Sequence, residues 1–371
     1  MTPFCRRITL AGLAYGLTTS LLLTSTPALA WGPIGHRMIA ETAAILVHRD
    51  SAPDSRDSKA RNAKKVWWGN LFNRHRFELG YYAFVPDAIF RHEADQLEPP
   101  THYFDVDLAL GQKISELRDT PETFQKLVKL SPPDLSKLTS TAKKAGTVPW
   151  RVQEFHDLAL QELKPIQKVK GGYQPGQSDP QGASKINQTL FLMGVMAHYT
   201  GDSTMPYHAT LDYNGWDTDQ AGIHFFFESD CVNALEPGLS EQVLKLAFEK
   251  KKDWLKAWNA TSLTPLQLVL KVLIDSAVQV PELARVDREK VVLKPSKKGT
   301  KAFAERRDAD QACEAFRPLL TQQLAKGAVL TAALWERIDS SPEAQKIDVS
   351  EAKDLQFSDL KANPKYISPS P

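Results

Sequence analysis

"LFLMGVMAHYTGDSTMPYHA", Leu190 to Ala209, is the stretch on which the reading of this chain turns. Apolar residues recur with a 3.6-residue rhythm from Leu190 to Tyr199, which predicts a helix, and "LFLMGVMA" is apolar enough to bury it. His198 and Asp202 stand four apart, so a helix aims both at one face. Burying an imidazole and a carboxylate is costly unless each has a charged or hydrogen-bonded partner. A metal ion is one such partner, and a simple hydrogen bond between the two is the other. Pro206 breaks the helix, and His208 follows within reach of the same region.

The same elements recur on either side. "IHFFFESD" repeats the four-residue spacing with His224 and Glu228. Two such pairs with a third histidine between them say more than one pair, and mixed imidazole and carboxylate ligands suit zinc. Upstream, "PTHYFDVD" sets His102 after a proline turn, and "YYAFVPDAIF" sets Asp87 after a proline in an apolar, aromatic stretch. Asp87 also reads as a helix cap, a role compatible with ligation. His48, His75, His92 and His156 lie in charge-rich stretches and read as surface side chains.

Arg6 and Arg7, an apolar run from Ile8 to Leu23 and the small-residue triplet Ala28-Leu29-Ala30 predict a signal peptide over 1–30, cleaved after Ala30. The run is short and broken by Gly12 and Gly16, which disfavours a membrane anchor. Secretion, or export to a periplasm, is the expected localisation, with no transmembrane segment in the mature chain. Without Arg6 and Arg7, 44 basic residues face 44 acidic ones, so no whole-molecule attraction to nucleic acid or anionic lipid is expected. Cys5 leaves with the signal. Cys231 and Cys313 then read as one disulfide in an oxidising compartment, with two buried thiols as the alternative.

Cleavage there leaves "WGPIGHRMIAE", with Trp31 first and His36 five residues on. A free α-amine has a pKa of about 8 and can bind metal, closing a chelate ring with its own carbonyl. A frayed terminus with an incidental histidine is the plainer reading.

The remaining pattern is helical: Ile39–Val47, Phe155–Leu163, Glu241–Trp258, Leu266–Ile274 and Ala312–Arg337 all carry the rhythm. "KVVLK" near residue 290 is an isolated strand signal. "KLSPPDLSK" and Lys170–Lys185 read as loops, Val286–Arg307 as an exposed excursion, and 341–371 as a polar, loosely ordered tail. The expected fold class is all-α, with a single mainly helical domain over 31–340.

Taken together, the initial Trp31, Gly35-His36, Asp87, "HYFD" from His102, "HYTGD…PYH" and the final His224-x3-Glu228 make the chain resemble one superfamily. It joins the bacterial zinc-dependent phospholipases C with the single-strand-specific zinc nucleases, and the resemblance runs from Trp31 to about Ile338. It implies three Zn2+ ions in one cleft. Asp87, His102, His198 and Asp202 would hold one ion. His208, His224 and Glu228 would hold a second. The amine and carbonyl of Trp31, His36 and the other oxygen of Asp202 would hold the third. Such a cleft suits phosphate-ester hydrolysis: the ions neutralise phosphate oxygens, lower the pKa of water and stabilise the departing alkoxide. Asp87 would be the catalytic residue that orients or deprotonates the attacking water.

The two branches differ in substrate. His224-x3-Glu228 and His208-Ala209 resemble the phospholipase branch, whereas "WGPIGH" is nuclease-like. Tyr103 and Asp105 would contact a base in a nuclease, and Tyr81, Tyr82 and Phe84 a choline head group in a lipase; the latter are equally a helix core. The reading favours a phospholipase C whose partner is phospholipid at a membrane surface. A nuclease on single-stranded DNA and RNA is the alternative, and a binding protein with degenerate sites a third possibility. No obligate protein partner is implied.

Overall fold

The computed structural model describes residues 31–51, 63–131, 145–164, 180–300, 302–345 and 365–369. The expected signal peptide lies outside them. The described part is all-α, with one two-stranded ribbon. No helix among these residues is long and apolar enough to cross a membrane.

The Pro180–Asp202 helix runs through the middle of the core. It packs against Val148–Leu163 on one side and against Gly32–Ser51, Arg76–Tyr82 and Arg317–Asp339 on the others. Its apolar run has almost no polar face, as befits a helix surrounded by protein. Two glycines allow close approach. A Cβ on Gly194 would fall 2.5 Å from the Cβ of Tyr82, and one on Gly201 would fall 3.1 Å from His36 Nδ1. The glycine of "HYTGD" thus makes room for a histidine from the first helix. Hydrogen bonds fix the register: Thr200 to Thr331 at 2.6 Å, and the Trp335 indole to the Met193 carbonyl at 3.0 Å.

Four of the six helical rhythms fall within single helices; Glu241–Trp258 runs one residue past the Gly238–Ala257 helix, and Ala312–Arg337 opens with the 3-10 turn Cys313–Phe316 before the Arg317–Asp339 helix begins. Four other readings change. Of the loop expected over 170–185, residues from Pro180 onward belong to the central helix, with Pro180 at its start where a missing N–H costs nothing. Lys170 to Asp179 lie outside the described residues, together with most of "KLSPPDLSK". The "KVVLK" strand, Val292–Lys294, is not isolated but pairs with Glu305–Arg306. The excursion is anchored too. Asp287 is fully buried and takes the Arg306 guanidinium through both oxygens, at 3.0 Å each. In the tail, Pro342–Gln345 is a short helix, and Tyr366 and Ile367 pack against the core.

Cys231 and Cys313 form a disulfide that closes a loop of 82 residues. In the chain-entropy model such a loop contributes about 4 kcal/mol. Replacing both cysteines by alanine is expected to lower the melting temperature by roughly 10 °C. An unchanged melting temperature in a thermal scan would contradict it.

Candidate metal centre

The central helix presents His198 and Asp202 on one face near its C-terminal end, where the next turn opens toward Pro206. His36, from the first helix, stacks on His198 with ring centroids 3.9 Å apart and sets Nε2 3.4 Å from Asp202 Oδ1. Asp87 enters from a single π-helical turn, Pro86–Phe90, and Glu228 from a second, Phe226–Asp230. Such turns insert one residue and re-aim a side chain, and they concentrate at functional sites. His102 and His208 each close a short 3-10 turn that begins at a proline.

Eight of the nine residues expected as ligands converge. All are buried, at 3 % exposure or less. They form three groups, of which the first two share His198: His36, Asp87 and His198; His102, His198 and Asp202; and His208, His224 and Glu228. Asp202 faces two ways. Its Oδ2 lies 3.1 Å from His102 Nδ1 and 3.2 Å from His198 Nε2, while Oδ1 faces His36 at 3.4 Å and His208 at 3.8 Å. Asp87 sits between His36, at 3.9 Å, and His102, at 3.7 Å. The ninth, Trp31, is fully buried beside them. Its indole donates to the Gly201 carbonyl at 2.8 Å, and its own carbonyl accepts from Gly35.

The donor set calls for a cation. His198, His208 and His224 each donate Nδ1–H to a backbone carbonyl, of Ala83, His102 and Tyr213 respectively, at 2.7–2.8 Å. A carbonyl only accepts, so in the neutral ring, the form that binds metal, each Nε2 presents a bare lone pair. The Nε2 atoms of His208 and His224 nevertheless face each other at 3.0 Å, with Glu228 Oε2 2.9 Å from the latter. Three acceptors pointed at one spot repel one another unless a positive charge lies between them. Two nitrogens on one tetrahedral zinc stand roughly 3.3 Å apart, close to this spacing. Asp202 Oδ1 and Glu228 Oε1 are buried and accept no hydrogen bond. The residues fit zinc.

Burial sets the protonation states. It pushes Asp87 up to about 6, against the pull of Arg91, and Asp202 up to about 6, against the hydrogen bond from His102. It also raises Glu228, drives His102 and His208 well below the usual histidine range and brings His198 down to about 4. These three imidazoles are therefore neutral at pH 7 and ready to ligate. The two aspartates bind metal only as anions, and with raised pKa they take up protons as the pH falls through about 6. Zinc affinity should accordingly drop steeply between pH 7 and 5, with about two protons competing for each loading event. Titration with a zinc-buffered indicator that finds affinity flat over this range would contradict it.

Two residues escaped the sequence reading. Arg91 Nε lies 2.9 Å from Asp87 Oδ1, and Glu98 Oε1 lies 3.4 Å from His102 Nε2. Both stand four positions from a ligand, which is the available signal. Among the expected substrate contacts, Tyr81 is half exposed in a groove with Ile34, Arg37, Phe77 and Phe84. The backbone of Tyr103 and Asp105 is tied to 145–148, Asp105 is buried, and burial together with Asp105 pushes the Tyr103 hydroxyl up to about 12. Among the other histidines, His75 and His156 prove buried rather than superficial. His156 shares the inward stripe of Val152, Phe155 and Ala159.

No family model matches the chain, and no curated protein does. Two solved structures are similar at 13 and 14 % identity: the alpha toxin from Clostridium absonum, with a TM-score of 0.39, and the Clostridium perfringens alpha-toxin isolated from an avian strain, with 0.38. They cover 84 and 83 % of this chain, which spans 65 % of the length of each toxin. Likeness at this level says nothing of activity or ligand.

Proposed function

We propose that the chain is an exported zinc-dependent phosphoric ester hydrolase, a phospholipase C that cleaves glycerophospholipids such as phosphatidylcholine to diacylglycerol and a phosphorylated head group. The observation that carries the hydrolase reading is the buried convergence of eight acceptor side chains, with Asp202 turned toward both halves. The ions, when bound, neutralise phosphate oxygens and activate water. Asp87 then acts as proton acceptor through Oδ2, since Arg91 occupies Oδ1.

The lipid reading draws on the surface next to His224. Within Phe225-Phe226-Phe227, Phe227 and Phe226 are packed inside, whereas Phe225 is 40 % exposed. Leu211 and Tyr213, which follow His208 in sequence, are exposed as well. Large apolar side chains flanking a polar site favour an acyl-bearing substrate. The nuclease alternative keeps "WGPIGH" in its favour, and Tyr213 offers it a face for stacking. Zinc-loaded protein given phosphatidylcholine vesicles and single-stranded DNA separately decides the matter. Release of phosphocholine without DNA cleavage is expected. DNA cleavage without lipid turnover assigns the nuclease, and neither activity rejects hydrolysis altogether.

A further inference from the structure

We infer that Glu98 is a positioning residue for the metal ligand His102, and that residues 365–369, far along the chain, strap it in place. The inference rests on the metal-centre reading above and adds a layer of residues to it.

His198, His208 and His224 have their outer nitrogens fixed by backbone carbonyls. His102 differs. Its Nδ1 faces inward, 2.8 Å from His198 Nε2 and 3.1 Å from Asp202 Oδ2, so Nδ1 is the atom on the ligand side. For Nδ1 to offer a lone pair, the ring proton must sit on Nε2 and needs an acceptor there. With the proton on Nδ1, His102 donates to Asp202 and its Nε2 accepts from Arg91 Nε at 3.4 Å; with the proton on Nε2, the acceptor that faces it is the carboxylate of Glu98, also at 3.4 Å. A guanidinium has no lone pair to give. Glu98 is thus the group that selects the ligating tautomer, in the manner by which outer partners orient metal-bound histidines.

Glu98 is itself fully buried, and two donors meet its carboxyl group. The Tyr199 hydroxyl donates to its Oε1, and Arg151 Nη2 reaches its Oε2 at 3.3 Å. Arg151 is 2 % exposed and lies over the rings of Phe155 and Tyr199. It also donates to Glu154 and to the main-chain carbonyl of Ile367. Around that carbonyl, the Tyr366 ring meets Phe90 edge-on at 5.3 Å, and its N–H donates to Glu93. A continuous file therefore runs from Ile367 through Arg151 and Glu98 to His102. Its outermost member lies 265 positions from the ligand it supports, as the two residue numbers show.

The test measures zinc release to a colorimetric chelator from full-length holoprotein, alongside the thermal midpoint of the same samples. Glu98→Gln is expected to speed release of one ion about tenfold with little change in midpoint. Deleting 365–371 should speed it by a smaller factor, about threefold. If Glu98→Gln does not fold, the deletion and Tyr199→Phe, which leave the carboxylate in place, carry the test in the same direction. Wild-type release rates in the variants that fold would overturn the inference. Wild-type protein that holds no zinc at all would overturn the metal-centre reading instead.

Discussion

Stripping the protein of metal with a chelator will abolish phosphodiester hydrolysis, to below roughly a thousandth of the loaded rate, and will lower the melting temperature by about 10 °C or more. The first effect follows from the donor set: without ions, the eight clustered side chains offer a phosphate only acceptors, and the Arg91 guanidinium beside them is engaged by Asp87. The second follows from what is left behind. Asp87, Asp202 and Glu228 are buried carboxylates, and paired imidazole lone pairs face one another. Any species that binds only the folded state stabilises it by mass action, about 4 kcal/mol for one site at a thousandfold excess over Kd. Three such sites, if loaded as proposed, would tie together the first helix, the central helix and both π turns. Elemental analysis should find about three zinc ions per chain, and re-addition of zinc should restore both properties. Full activity with one ion or none would end the assignment.

A chain begun one residue early, with methionine ahead of Trp31, should lose one zinc and most of its activity. The same sequence exported and cleaved should keep both. An amide nitrogen is a far poorer ligand than a free amine, and the added residue must fit where Trp31 is already fully buried. The sequence alone suggests that Trp31→Phe would be mild, since the backbone is the proposed ligand. The packing revises that expectation. The indole N–H is hydrogen-bonded to Gly201, next to Asp202, and the ring lies 5.9 Å from Phe227. Phenylalanine would leave a gap and lose this hydrogen bond, although the Gly201 carbonyl keeps those from Thr204, costing about 2 kcal/mol of stability while sparing the zinc count. A Met-extended protein with three zincs and full activity would show that the terminus plays no part.

The fold and the inward cluster were legible because both rest on local spacing. His198 with Asp202 and His224 with Glu228 declare themselves through the helical repeat, and prolines mark the turns that carry Asp87, His102 and His208. What stayed hidden depends on distance or on context. Arg91 and Glu98 also sit four from a ligand, but a charged residue at that spacing reads equally well as a solvent pair. Arg151 has no signal near Glu98 at all; the contact of the Val148–Leu163 helix with the Pro99–His102 turn, which Glu98 precedes, brings them together. The strand partner Glu305–Arg306 is two residues long, too short for any alternation to register. His75 and His156 misled because their charged neighbours in sequence point outward while they point in.

The disulfide has a bearing on when the protein works. Cys231 lies three residues past Glu228 and anchors the end of the π turn that aims this ligand to the Cys313–Phe316 turn, whose Phe316 packs on Phe227. Wherever thiols are kept reduced, that turn loses its covalent tie, and the His208–His224–Glu228 group is the part of the centre with most to lose. A copy still inside the producing cell would therefore hold metal loosely at one end. Oxidation after export would tighten it. Cells making a hydrolase that attacks their own membranes or transcripts would in this way be spared until the chain had left them.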